Sequence, residues 1–222
     1  MAKRKVADSR PLEDLMQKYQ KQRPAIEKRL SDFSKIKDGR DEDIYAEMAF
    51  CMLTPQSKAL SCWSAVEEIR KKGLLFSDDI DSIKDVLRTK VRFHNNKANY
   101  IVNNKKVFSA DGTLRIKDKF AEFSSTKDVR AWLIKNVKGY GWKEASHFLR
   151  NIGYYDDIAI LDRHILWNLR RYGIIEELPK SLTPKKYLEI EEAMRKFCNA
   201  NKIPMSHLDL LFWAEETGEI FK

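Results

Sequence analysis

Four glycines constrain the architecture most. Gly73, Gly153, Gly173 and Gly218 each close a run whose apolar residues recur three and four positions apart. That period belongs to a helix with one buried face, and glycine just beyond it ends a helix at little strain. Residues 57–72, with Ala59, Trp63 and Val66 on one face, follow this pattern, as do 142–152, 162–172 and 204–217; 95–108, 126–137 and 184–199 also read as helices. A further run carries Ile44, Glu47, Phe50, Cys51 and Leu53; it starts after Asp41 and stops at Thr54-Pro55, where proline cannot continue a helix. A weaker helix surrounds Ile83, Val86 and Leu87. No alternating run reads as a strand, and no solenoid period or low-complexity tract is present. The expected fold class is all-α.

Charge narrows the choice of partner. Lys and Arg number 42 against 33 Asp and Glu, a net charge of +9 that favours a polyanion. Charge alone does not separate nucleic acid from an anionic membrane surface. No apolar run is long enough for a membrane span, and Met1–Lys5 is a basic arm rather than a signal peptide. Cys51, Cys62 and Cys198 form no C-x-x-C pair, which argues against a zinc site and a disulfide framework. Cys51 and Cys198 read as reduced core residues, so a reducing compartment is expected, and the expected localisation is cytoplasmic and DNA-associated.

The chemistry concentrates in Val137-Lys138-Gly139-Tyr140-Gly141-Trp142-Lys143, a very short turn between two helices. Gly139 and Gly141 permit backbone angles that side chains forbid and let another chain approach closely. The N–H groups that begin the second helix, with its dipole, suit a phosphate oxygen. This is a helix-hairpin-helix read from its parts, with Lys138 supplying nearby positive charge. An ordinary helix connection also uses G-x-G, so the turn alone leaves that alternative open.

Lys143 lies in the first turn of the second helix, where the dipole disfavours an ammonium. That placement suits an amine acting as a nucleophile, although Lys143 taken alone also reads as a solvated surface lysine. His147 and Arg150 follow at i+4 and i+7 and share its polar face, opposite Trp142, Ala145, Leu149 and Ile152; the polar face is expected to look into a cleft or at DNA. Asp162 interrupts the apolar run Ile158–Leu161 and opens the helix that follows. It reads as an N-cap, and a carboxylate held that way can also stabilise positive charge developing on a sugar.

The segments Asn136–Gly153 and Ala159–Leu166 resemble the type 2 8-oxoguanine DNA glycosylase/lyases, compact members of the helix-hairpin-helix glycosylase superfamily. The resemblance runs from Phe50-Cys51-Met52-Leu53-Thr54 to the end of the chain, including Lys185–Glu191 and Leu208–Trp213. It implies one catalytic unit over residues 1–222, built from two helical subdomains: 41–154, ending in the hairpin at 126–153, and 10–40 with 155–222. The active site is expected in the cleft between them.

By the same resemblance, Lys143 attacks C1′ of a flipped nucleotide with Asp162 as its helper. A Schiff base forms, and β-elimination then cuts the strand on the 3′ side. Phe93 and Trp213 match positions that stack on the flipped base, and Asp209 matches a pocket position. Lys222 matches a terminal residue whose carboxylate accepts the N7 hydrogen of oxidised guanine, which guanine lacks. Gln56 resembles the glutamine that fills the gap left by the flipped base, although Thr54-Pro55-Gln56-Ser57 departs from the Thr-Ala-Asn form found in part of the family. Lys138, Gly139, Gly141, His147 and Arg150 complete the expected DNA contacts.

The implied partner is double-stranded DNA carrying oxidised guanine, bound by a monomer without metal or organic cofactor. The four-cysteine loop of iron–sulfur glycosylases is absent. Two other readings are a noncatalytic helix-hairpin-helix DNA-binding protein and a glycosylase for a different damaged base.

Overall fold

The computed structural model describes residues 10–155, 157–218 and 220–222. The basic arm at Met1–Lys5 lies outside them. Eleven α-helices and one small hairpin make up the described elements. The chain divides into two units: residues up to Arg29 with Leu161–Phe221, and Leu30–Ile160 with Lys222. The boundaries therefore fall at 29/30 and 160/161, where the sequence placed them at 40/41 and 154/155. Helix α1 is continuous over Arg10–Lys37 and crosses the first boundary, so no break in secondary structure marks it.

The larger unit is organised around α2 (Asp41–Leu53). Every residue from Ile44 to Leu53 is buried, so this helix is apolar nearly all round and needs neighbours on several sides. They are α3 (Ala59–Lys71), α5 (His94–Val107), α6 (Ile116–Ala121) and α8 (Trp142–Asn151). Helix α4 (Ile80–Arg88) packs on α3 and α5, and α7 (Thr126–Asn136) packs on α8. Cys51 and Cys62 are buried free thiols in this core.

The smaller unit holds α9 (Arg163–Arg171), α10 (Pro184–Asn201) and α11 (Met205–Thr217), with α11 packed on both others. Tyr172 and Phe212 stack with centroids 5.4 Å apart and planes 2° from parallel. Tyr19 of α1 meets His207 through its hydroxyl and Nδ1 at 3.0 Å. Cys198 is the third buried thiol. On α10, Leu188 is 43% exposed, whereas Cys198 and Glu191 are buried.

Three elements differ from expectation. Ser109–Ala110 and Thr113–Leu114 pair as a two-residue antiparallel hairpin, although no strand was expected. Its turn is Asp111-Gly112, both at positive φ, the pairing that two-residue hairpins favour. The alternation was too short to register, while the turn dipeptide was visible. The fold remains all-α. Helix α6 and the first helix were also not marked, although Leu15, Tyr19, Ile26, Leu30 and Phe33 form a buried stripe at helical spacing along α1. Pro24 inside that helix obscures the pattern. No described helix is long and apolar enough to cross a membrane.

Candidate active site

Helices α7 and α8 form the two arms of the hairpin. Gly139 in the turn has φ +87°, and a Cβ built on it would lie 2.7 Å from the Tyr100 ring. Both the backbone angle and the ring therefore select glycine. Gly139→Ala is expected to lower stability by about 1–3 kcal/mol, read from the shift in urea midpoint. A midpoint equal to that of the unchanged protein would contradict this.

The turn is fastened from below by Asn104, which is 1% exposed. Its Nδ2 donates to the Lys138 carbonyl at 2.8 Å, and its Oδ1 accepts from the Lys138 N–H at 2.9 Å. Tyr140 is buried and donates its hydroxyl to the Met48 carbonyl at 3.0 Å. The Gly141 N–H donates to Glu144 Oε2 at 3.2 Å, a side-chain cap at the start of α8. Lys138 and Gly139 face solvent. The turn thus presents its outer edge while its inner edge is hydrogen-bonded.

Lys143 follows in the first turn of α8, with its side chain 24% exposed. Its Nζ donates to Thr54 Oγ1 at 3.2 Å and lies 3.9 Å from Glu144 Oε1. Thr54 in turn donates to the Cys51 carbonyl at 3.0 Å. The amine is therefore directed by a hydroxyl at the C-terminal end of α2.

Beyond that first turn, α8 has no open polar face. His147 and Arg150 are 6% and 5% exposed, which corrects their expected place on a DNA-facing surface. The cause is packing: α2 and α7 both lie against α8. Phe50 meets the His147 ring edge-on at 5.6 Å, and the Arg150 guanidinium lies over Phe33 at 5.1 Å.

Burial, reinforced by Lys143 and Arg150, holds the His147 imidazole well below its ordinary pKa of 6.5. His207 in the other unit is shifted the same way, again chiefly by burial. An unfolded chain takes up these protons as pH falls through 6.5, and the native chain does not. The stabilisation from keeping them neutral is complete above that pH and declines as pH falls below it. Urea midpoints are expected to drop between pH 7.5 and pH 5, and His207→Phe should lessen the drop.

Lys222 reaches the same core. Its side chain is 10% exposed, and Nζ is hydrogen-bonded to Glu47, a carboxylate buried on α2. Glu47 also accepts from Asn151 Nδ2 at 3.1 Å. The Lys222 ammonium sits 3.4 Å from the Trp63 ring centroid and 5.6 Å from that of Phe50. A lysine on two aromatic faces with a buried carboxylate is a specific anchorage.

Gln56 is exposed at φ +55°, and Phe93 is 53% exposed at φ +58°. Phe93 is therefore a surface aromatic and not part of the core. Left-handed backbone at two non-glycine residues is uncommon.

In the smaller unit, Asp162 is the N-cap of α9 and half-buried. Its Oδ1 accepts from the Ile165 N–H at 2.8 Å. On α11, buried Asp209 and half-buried Trp213 stand one turn apart. The Trp213 ring meets His164 edge-on at 5.7 Å.

Comparison with known proteins decides the family. The model of the family described as 8-oxoguanine DNA glycosylase, Ogg-HhH, matches residues 26–203. The chain belongs to this family. An 8-oxoguanine DNA glycosylase/AP lyase of Fusobacterium nucleatum is 46% identical over 205 residues, covering 92% of this chain and 94% of that one. Another, of Methanocaldococcus jannaschii, is 38% identical over 197 residues, covering 89% and 91%. A solved complex of the M. jannaschii 8-oxoguanine glycosylase/lyase with a 15-mer DNA containing 8-oxoguanine superposes with a TM-score of 0.83 at 34% identity, covering 94% of this chain and 99% of the other.

Within this family frame, Thr54, Asn104, Glu47 and Glu144 surround the hairpin and were not singled out as site residues in the sequence. Glu47 left a signal, since it is an acidic residue amid an apolar helical face. Asn104 left none, because its role depends on a turn 34 positions away.

Proposed function

We propose that this chain flips 8-oxoguanine out of duplex DNA, excises it, and cleaves the resulting abasic site, with Lys143 as nucleophile. Family membership supports the reaction class, and the observation that carries the assignment is the position of Lys143. It follows the hairpin turn directly, is partly exposed, and has its amine directed by Thr54. In the proposed reaction the Lys143 amine attacks C1′, the C1′–N9 bond breaks, and the base leaves with a proton. Ring opening gives a Schiff base. Loss of a C2′ proton then expels the 3′ phosphate, and water releases the lysine.

Asp162 is the proposed partner, its carboxylate held by the α9 N-terminus and available to stabilise positive charge on the sugar. Asp162→Asn keeps an N-cap acceptor but removes the charge. It is expected to slow base release by about 10²-fold or more at nearly unchanged thermal stability. Unchanged base release would remove Asp162 from the mechanism.

Phe93 and Trp213 are proposed to stack on the extruded base, with Asp209 and Lys222 lining its pocket. Lys138, Gly139, Gly141 and Gln56 are proposed to meet the DNA. The exposure of Phe93 and Gln56 supports this, since each stands at a surface turn.

A panel of duplexes carrying 8-oxoguanine, an oxidised pyrimidine or an alkylated purine tests the substrate class. Base release under single-turnover conditions is expected from the 8-oxoguanine duplex in preference to the others. Preferential release of another base would move the chain to a different lesion, and binding without release from any duplex would favour a noncatalytic module.

A further inference from the structure

Lys97, on α5, is 3% exposed and has no described carboxylate bonded to it. Its Nζ donates to the carbonyls of Leu53 and Pro55, both at 2.8 Å, and to Ser57 Oγ at 3.0 Å. An ammonium has three N–H donors, and here three acceptors receive them. A buried ammonium satisfied by neutral oxygens alone is costly to desolvate, so its geometry needs an explanation.

The two carbonyls flank Thr54. Its hydroxyl is the group that accepts from Lys143 Nζ, at 3.2 Å. Lys97 therefore fixes the Leu53–Thr54 and Pro55–Gln56 peptide units, one before and one beyond the residue that directs the amine. The same clamp reaches further. Ser57 Oγ also accepts from the Arg92 N–H at 3.0 Å, so one hydroxyl ties the segment around left-handed Gln56 to the turn at left-handed Phe93.

We propose that Lys97 is a positioning residue for Lys143, acting by clamping the backbone on both sides of Thr54 so that the threonine hydroxyl holds the amine. The proposal rests on the reading of Lys143 as nucleophile. Its rival is that Lys97 stabilises the loop with no effect on the amine.

The test is single-turnover base release and borohydride trapping on an 8-oxoguanine duplex, with duplex affinity measured in parallel. Lys97→Met keeps the aliphatic stem and removes all three donors. It is expected to slow base release by about ten- to hundredfold while affinity changes about twofold or less. Thr54→Val should be slow in the same way, and Thr54→Ser should stay close to the unchanged protein. The double variant Lys97→Met/Thr54→Val should be no slower than the slower single variant, because both act through one contact.

A folded Lys97→Met protein with an unchanged rate would overturn the proposal, as would losses that multiply in the double variant. If Lys97→Met does not fold, Thr54→Val decides: a rate equal to that of the unchanged protein breaks the link. Absence of an adduct with the unchanged protein would remove the nucleophile reading itself, whereas a normal adduct with unaffected variants removes only the role of Lys97.

Discussion

Lys143→Ala is expected to release base from an 8-oxoguanine duplex about 10³-fold more slowly than the unchanged protein, or not at all, while binding the duplex. The reasoning is local. The side chain donates to Thr54 and lies near Glu144, and neither contact crosses a large apolar interface. Its removal should cost little stability. Loss of a nucleophile, in contrast, removes the covalent route altogether, and such losses are among the largest single-residue effects in enzymes. Thermal midpoint and duplex affinity measured with the rate separate the two. A Lys143→Ala protein that is folded and still releases base at the normal rate would place the chemistry elsewhere.

Glu47→Ala is expected to have the largest effect on stability, about 3–5 kcal/mol. For a chain of this length that corresponds to a fall in thermal midpoint of roughly 10 °C. Glu47 is 2% exposed and accepts from Lys222 and from Asn151. Truncation leaves the Lys222 ammonium over Trp63 and Phe50 without its carboxylate, and leaves the Asn151 amide in the core. Glu47→Gln keeps the shape and one acceptor and should fall between the two. A Glu47→Ala protein with an unchanged midpoint would show that the pair contributes nothing net.

The helices and the hairpin turn were both legible in the sequence through local signals. Gly73, Gly153, Gly173 and Gly218 mark helix ends through backbone conformation, which is a local property. The order of Gly139, Gly141 and Lys143 is local too, and the structure places the lysine in the first turn of α8 as its spacing requires. The burial of α8 was not legible. His147 and Arg150 look polar along the chain, yet Phe50 of α2 packs on one and Phe33 of α1 on the other, and that packing joins segments about 100 positions apart.

Glu47, Lys97 and Asn104 carry the same lesson. Each is a polar residue in a helix, and its partners lie tens of positions away in sequence. A propensity or a period cannot identify such partners, because hydrogen bonding in a core depends on which helices meet. What the sequence does show is the anomaly of a charge within an apolar face, as at Glu47. In this fold that anomaly marks a residue bonded to groups distant in sequence.

The most direct measurement is borohydride trapping with a duplex carrying a single 8-oxoguanine, beside an undamaged duplex and the Lys143→Ala protein. A covalent protein–DNA adduct that requires both the lesion and Lys143 is the expected result, because only an amine bonded to C1′ gives a reducible Schiff base. Base release without any adduct, or an adduct that survives the loss of Lys143, would contradict the assignment of this lysine as the nucleophile.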